Sequence, residues 1–339
     1  MTSSPARASI GLTRYQQTVS LLLLLGLLLL MFGLSLSIGS TTYRPWQLWQ
    51  NSEEALIARD IIWSLRLPRS IAACSVGALL AVAGALQQIL LRNPLADPYI
   101  LGTSGGASVG ALLAMLLGTS TAMINGSAAL GAGVAIVLVF VLAGRDRSIN
   151  QVSLLLTGVA ISAFCGAFSS LLLSLAPDGL LRGMMFWMLG DLSGATWPLA
   201  LGGVLMLLLL LVPLLRDLNI LALGGQSAHA LGLNTTQLHW MLYFFAATAT
   251  ALAVTTAGMI GFVGLIVPHA LRLLLGQDQR LLIPACALGG GLFLLSADLV
   301  ARTLLAPTQL PVGVVTAMVG APVFIWLLRA RTHRTHPNG

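Results

Sequence analysis

Long apolar segments alternate with short polar ones along almost the whole chain. Each apolar segment is close to the length of about 20 residues that a helix needs to cross the hydrocarbon layer. The pattern therefore predicts an all-α membrane protein with about ten transmembrane helices. A further apolar stretch at 180–189 is too short to span and predicts a short surface helix. The predicted spans cover roughly residues 20–38, 71–91, 100–117, 124–143, 152–175, 199–215, 241–257, 259–275, 281–295 and 312–328.

Two polar interruptions, at 93–106 and 258–268, place prolines and glycines beside apolar segments. Irregular backbone at membrane depth is tolerated only where protein or a water-filled cavity satisfies it. Both interruptions are therefore candidates to flank a pathway through the membrane. They occupy corresponding places in the two halves of the chain, after spans of opposite direction, which predicts an inverted repeat.

Composition supports the membrane class and removes other classes. The 339 residues are 57% hydrophobic and 8% charged, with a mean hydropathy of +0.92, whereas soluble domains carry about 25% charged residues. The net charge of +7 comes from 17 arginines and no lysine. The arginines are scattered between apolar segments, so nucleic-acid binding is excluded. Because a phosphate-binding Walker loop requires a lysine, we expect no ATP hydrolysis and no enzymatic activity in this chain.

The remaining reactive side chains indicate no site. Cys74, Cys165 and Cys286 lie in apolar segments, where a free thiol behaves as a small hydrophobic group, so we predict neither disulfides nor a metal site. His269 is the one histidine near a predicted span. A lone histidine there is more often a structural group than a ligand.

The arginine distribution sets an orientation. With an even number of spans both termini share one side, and a cytoplasmic N-terminus places most arginines inside, as the positive-inside rule requires. The whole chain, 1–339, is then one transmembrane domain with cytoplasmic tails at 1–16 and 329–339 and a cytoplasmic loop at 216–236. The arginines left outside are Arg44, Arg59, Arg66, Arg69, Arg182 and Arg302.

An ion-coupled secondary transporter is the alternative from another class, since such proteins also use inverted repeats and broken helices. Such a transporter usually needs intramembrane carboxylates. Asp298 is the only acidic residue close to the body of a predicted span, and it stands four residues before Arg302. An i,i+4 ion pair between the two accounts for Asp298 without a proton relay.

Several long motifs in the same order resemble the FecCD-type permeases, the membrane subunits of type II ABC importers for vitamin B12, iron-siderophores and haem. The resemblance covers about residues 63–328. It implies ten helices per subunit, a second permease copy that is identical or related, and two cytoplasmic ATPases that bind ATP and magnesium. It also implies a periplasmic binding protein and a place in the bacterial inner membrane. The motifs are RLPR, GALLAVAGALQQILLRNPLADPYILGTSGGASVGA, AGMIGFVGLIVPHALRLLLGQDQRLLIPACALGG, LLSADLVAR and LPVGVVTAMVGAPVFIWLL.

The resemblance also implies roles for three groups of residues. Arg66, Arg69 and Arg302 would face the periplasm and pair with acidic residues of the binding protein, for which planar guanidinium groups are suited; anchoring to lipid headgroups is the alternative. Contacts to the ATPases would come from a pair of short helices in the 216–236 loop, which otherwise could lie on the headgroups. Those contact candidates are Leu221, Leu223, Gly224, Gly225, Ala228, Leu231 and Gly232. The cytoplasmic gate would comprise Asn93, Pro94, Leu95, Ala96, Asp97, Asn150 and Gln151, although turn formation explains these residue types as well.

Cargo is the least determined feature, because permeases for all three cargo types share these motifs. We rank an iron chelate, a ferric siderophore, first. Haem and cobalamin are the alternatives.

Overall fold

The computed structural model describes residues 14–39, 52–143 and 151–335, and within these ranges the chain is a bundle of α-helices without β-strands. The helices are α1 (Arg14–Ser37), α2 (Glu53–Asp60), α3 (Leu67–Leu90), α4 (Thr103–Leu116), α5 (Thr121–Ala143), α6 (Gln151–Ser174), α7 (Asp178–Met188), α8 (Trp197–Leu211), α9 (Leu215–Ala222), α10 (Gly225–Ala230), α11 (Thr235–Ala257), α12 (Val263–Leu275), α13 (Gln279–Thr303) and α14 (Val312–Thr335).

Among the described residues, seven helical segments are long and apolar enough to cross a membrane, and α4, α12 and α14 supply three shorter apolar ones. This confirms the prediction of about ten membrane helices in an all-α protein. The short apolar stretch before Leu189 also forms the expected separate helix, α7. The chain is a multi-pass membrane protein.

Two helices continue well past the ends that the sequence predicts. A π-helical segment at 61–66 joins α2 to α3, and the apolar part of this composite helix runs for 36 residues, Ala55–Leu90, or about 54 Å. Helix α13 extends to Thr303 instead of ending near residue 295. The sequence prediction ends each span where the first charged residue occurs. Arg69 in α3 and Asp298 and Arg302 in α13 are paired inside the protein, so the helices continue past them.

The structure describes part of each predicted tail. Helix α1 begins at Arg14, and α14 continues to Thr335, so 329–335 of the predicted C-terminal tail are helical. The remainder of the two tails, 1–13 and 336–339, lies outside the described residues.

Helix α3 forms the centre of the bundle and is buried along nearly its whole length. It packs against α13 most extensively, then against α11, α12 and α8. A β-carbon added at Gly77 of α3 would collide with the carbonyl oxygen of Gly290 in α13, and one added at Gly84 would collide with Gly264 of α12. Glycine thus allows the backbones to approach directly, as is common between membrane helices.

Candidate functional site

The three arginines assigned to docking meet at one end of the α3–α13 pair, which we call the arginine end. Arg66 ends the π-helical segment, Arg69 lies in the first turn of α3, and Arg302 lies in the last turn of α13. Together with Gly39, Ile61, Leu65 and Gln309 they line a cavity of about 230 Å³, the arginine cavity. The structure therefore unites residues that are more than 230 positions apart in the sequence.

A single buried carboxylate organises this end. Asp298 has no exposed surface; its Oδ1 accepts from Arg69 Nε and lies 2.8 Å from Arg69 Nη2. Its Oδ2 lies 3.0 Å from Arg302 Nε, which confirms the predicted i,i+4 pair. The pairing with Arg69 gave no signal in the sequence, because 229 positions separate the two residues.

The end of α1 accepts hydrogen bonds from two of the three arginines, Arg66 and Arg302. Arg66 Nη1 donates to the carbonyls of Leu36 and Ser37 at 2.8 and 2.9 Å. Arg302 Nη2 donates to Ser35 Oγ at 2.7 Å. The last carbonyls of a helix carry partial negative charge and favour cations, so α1 fixes these arginines in place.

The three arginine side chains are almost completely buried, whereas arginines on an open docking surface would be exposed. Arg66, Arg69 and Arg302 are 5%, 9% and 6% exposed. The three guanidinium groups are balanced by one carboxylate, Asp298, which pairs with Arg69 and Arg302 only, so the cluster of these four residues retains a net charge of about +2. A carboxylate from another molecule would have to enter the arginine cavity to reach them.

The opposite end of α3 and α13 carries the 216–236 loop, and we call it the loop end. As predicted, the loop forms two short helices, α9 and α10, joined by a tight turn at Gly224, whose φ of 122° requires glycine. Gly232 ends the second helix with a φ of 83°.

The seven predicted ATPase-contact residues of this loop divide into two groups. Leu221 and Ala228 are buried, 1% and 0% exposed, and face the bundle. Leu223 and Leu231 are 71% and 63% exposed and present an apolar surface to the outside. Gly232 is exposed, and Gly224 and Gly225 are partly exposed. Spacing alone could not separate the groups, because such short helices show no long periodic pattern.

Two residues of the loop end were missed from the sequence. Asn219 of α9 donates from Nδ2 to Asp278 Oδ1 at 2.8 Å and accepts from the Gln279 N–H at 2.8 Å. Arg92, just after α3, extends over the turn of the loop: a β-carbon added at Gly225 would lie 3.0 Å from its Nη2. Neither contact is signalled by motif or spacing.

The predicted gate segment at 93–97 is an ordered turn. Asn93 Oδ1 accepts from the Leu95 N–H at 2.9 Å, and Asp97 Oδ1 accepts from the Tyr99 N–H at 2.8 Å. Burial raises the pKa of the Asp97 carboxyl, and the Tyr99 N–H opposes that shift. Asn93 and Asp97 thus make the side-chain to backbone hydrogen bonds that are typical of turns. Pro94 lines a cleft of about 290 Å³ together with Gln88, Arg92, His269 and Arg272.

The two polar interruptions contact each other. Tyr99 Oη donates to the Ile260 carbonyl and accepts from the Ile260 N–H, both at 2.9 Å. A β-carbon added at Gly264 would collide with Pro98. Irregular backbone at one interruption is therefore satisfied by a side chain from the other, as membrane depth requires. Asn150 lies outside the described residues, and Gln151 is the first residue of α6.

Residues 27–330 match the sequence profile of the FecCD transport family. The chain belongs to this family. A FecCD relative from Vibrio cholerae, the vitamin B12 import system permease protein BtuC, is 40% identical over 316 residues, which cover 92% of this chain and 93% of the relative. The BtuC protein of Escherichia coli is 42% identical over 328 residues, 93% of this chain and 94% of the relative.

Solved structures agree with this membership. The structure of a metal-chelate type ABC transporter in an inward-facing conformation superposes with a TM-score of 0.83 at 32% identity, over 92% of this chain and 99% of that one. These findings confirm the resemblance to FecCD permeases and establish an ABC importer permease. The two named relatives are permease proteins of import systems.

Replacing Asp298 by Asn should destabilise the fold by about 3–5 kcal/mol, because removal of one partner leaves buried charges uncompensated. Thermal unfolding of the purified chain in detergent measures the effect. Asp178→Asn, an exposed carboxylate in the first turn of α7, is the control and should cost no more than about 1 kcal/mol. An unchanged unfolding temperature for Asp298→Asn would contradict the role given to its carboxylate.

Proposed function

We propose that this FecCD permease imports cobalamin across the bacterial inner membrane, with both termini in the cytoplasm. The observation that carries the proposal is the 40–42% identity to two vitamin B12 permeases over nearly the full length of both chains. The sequence analysis ranked an iron chelate first and cobalamin as an alternative; the named relatives favour the alternative. A metal chelate is the second candidate, supported by the 32% identical metal-chelate type transporter, while haem has no comparable support.

The energy for transport comes from partner subunits. The chain has no lysine for a Walker loop, so two cytoplasmic ATP-binding subunits hold ATP and magnesium and close on each other. A second permease copy completes the pathway, and a two-fold pair is the simplest closed arrangement. A periplasmic binding protein delivers the cargo. Coupling works because these partners bind the two states of the permease with different affinities.

The loop end is the proposed contact with the ATP-binding subunit. Leu223 and Leu231 are both exposed apolar residues of this loop, while Leu221 and Ala228 are buried. An apolar pair on a rigid support is the form that a docking contact requires. We place the cytoplasmic gate at 93–97. Arg92, just before this segment, lies close to Gly225 of the loop.

The arginine cavity is the proposed contact with the binding protein. Its net charge of about +2 attracts carboxylates, and the hydrogen bonds to α1 and Asp298 hold the guanidinium groups ready. An acidic side chain entering the cavity would be attracted by this excess positive charge. The secondary transporter has little support here, because Asp298 is fully engaged by two arginines and is not placed to relay protons.

Uptake into proteoliposomes containing the complete complex should be fastest for cobalamin. Cobalamin, a ferric siderophore and haemin are compared side by side, each with its own binding protein, with ATP enclosed or omitted. If only the ferric siderophore accumulates in an ATP-dependent manner, the cargo is a ferric siderophore and the cobalamin assignment is wrong. Accumulation of any cargo by the permease alone under an ion gradient would contradict the ABC mechanism.

Charge reversal by Arg66→Glu should weaken binding-protein association at least tenfold, because it reverses one of the three charges of the cavity while leaving the Asp298 pair in place. Surface plasmon resonance with the permease in nanodiscs measures the dissociation constant. Arg59→Glu, seven residues earlier on the same composite helix and outside the cavity, is the matched control. Equal affinity for Arg66→Glu and the unaltered permease would refute docking at this cavity.

The paired change Leu223→Asp and Leu231→Asp should abolish binding of the ATP-binding subunit, since two exposed apolar side chains would become charged. Thr236→Asp, on the same loop and in the first turn of α11, adds a negative charge where a helix favours it and should bind normally. Co-purification on a tag on the ATP-binding subunit gives the result. Full recovery of the doubly altered permease would show that the contact lies elsewhere.

A further inference from the structure

Helix α13 is attached at both of its ends to the places where partners are proposed to bind. Its first residues contact α9 of the 216–236 loop, and its last turns carry Asp298 and Arg302 of the arginine cavity. The helix has 25 residues, a length of about 37 Å. It continues without interruption through Pro284.

Asn219 makes the polar attachment between the loop and α13. Its Nδ2 donates to Oδ1 of Asp278, the residue that caps α13, at 2.8 Å. Its Oδ1 accepts from the backbone N–H of Gln279, the first residue of the helix, at 2.8 Å. The first N–H groups of a helix have no partner within it, so Asn219 acts as a second cap supplied by another helix. The side-chain amide of Asn219 is therefore hydrogen-bonded both to the capping side chain and to the backbone of α13.

Buried apolar side chains of α9 flank this attachment. Leu218 and Leu221, on either side of Asn219, are 0% and 1% exposed and belong to the same buried cluster as Leu282 and Ile283 of α13. Close-packed interiors transmit displacement with little compression. A movement of α9 must therefore move the start of α13 or break the two hydrogen bonds.

Helix α13 in turn moves with α3. The backbones touch at Gly77 and Gly290, and a β-carbon at Gly291 would lie 3.0 Å from the Cys74 carbonyl oxygen. At the arginine end, Asp298 ties α13 to Arg69 of α3. The pair is thus joined in its middle and at the arginine end, whereas its link to the loop depends on Asn219 and the small apolar contact around it.

We propose that Asn219 is the positioning residue that passes displacement of the loop to α13, and through the α3–α13 pair to the arginine cavity. The proposal rests on the function proposed above, since the loop moves only if an ATP-binding subunit pulls it. Asn219 touches neither ATP nor cargo. Its loss uncouples hydrolysis from transport without detaching the ATP-binding subunit, because Leu223 and Leu231 remain exposed on the loop.

Three variants of the complex in proteoliposomes test this role. Asn219→Leu keeps the size of the side chain and removes both hydrogen bonds. Asn219→Asp keeps the acceptor for the Gln279 N–H and places a second carboxylate against Asp278. Asn219→Asp combined with Asp278→Asn restores the pair with donor and acceptor exchanged, while residue 278 can still cap α13. Asn234→Asp, which keeps the cap of α11 on the same loop, is the matched control.

Two quantities are measured: cobalamin transported per ATP hydrolysed, and the effect of ATP on thiol labelling of a cysteine placed at Leu65, which lines the arginine cavity. The second readout does not depend on the cargo. Both single variants should bind the ATP-binding subunit and hydrolyse ATP, with transport per ATP reduced roughly tenfold, in line with loss of a hydrogen bond to a charged group. Their labelling rate should not respond to ATP. The exchanged pair and Asn234→Asp should stay within about threefold of the unaltered complex.

Unchanged transport per ATP and an unchanged labelling response in Asn219→Leu would overturn the proposal. So would failure of the exchanged pair to recover coupling when Asn219→Asp has lost it. If the unaltered chain binds no ATP-binding subunit, the proposed function is refuted, and this inference with it.

Discussion

The fold depends on the ion pairs of one buried carboxylate, Asp298, with two arginines that are far apart in sequence. A charged group in the interior of a membrane protein is tolerated only if it is paired and hydrogen-bonded. Here Asp298 neutralises part of the charge of Arg69 and Arg302, while residues 35–37 at the end of α1 accept hydrogen bonds from Arg66 and Arg302. Three helices, α1, α3 and α13, are thereby fixed at one end. The same arrangement leaves excess positive charge in a cavity, so one interaction both holds the helices and prepares a binding surface.

Sequence reasoning found the elements whose cause is local. Apolar length predicted the ten membrane helices, and four-residue spacing predicted the Asp298–Arg302 pair. The pair of short helices expected in the 216–236 loop is present as α9 and α10. Where the cause lies elsewhere in the chain, the sequence carried no signal. The Arg69–Asp298 pair, the division of the loop into buried and exposed leucines, and the Asn219 attachment all depend on which helices become neighbours.

The two polar interruptions illustrate the same limit. Each was recognised by its prolines and glycines, yet their mutual contact through Tyr99 and Ile260 emerged only from the fold. The Tyr99 hydroxyl serves as both donor and acceptor in this contact. The segment that follows α11 thus supports the segment around Tyr99, next to the turn at 93–97. A change in the backbone of one segment will therefore alter the other.

The composite helix that ends at Leu90 has a consequence for how deep the protein sits in the bilayer. From Arg69 to Leu90 the helix rises about 32 Å, close to the thickness of the hydrocarbon layer, which is about 30 Å. The part before Arg69 therefore projects into the headgroup region, where the exposed Trp63 suits the interface. A thicker bilayer would bring the arginine cavity to the level of the lipid tails. A thinner one would leave the cavity further outside the hydrocarbon layer. Membrane thickness thus becomes a variable that acts directly on the charge cluster.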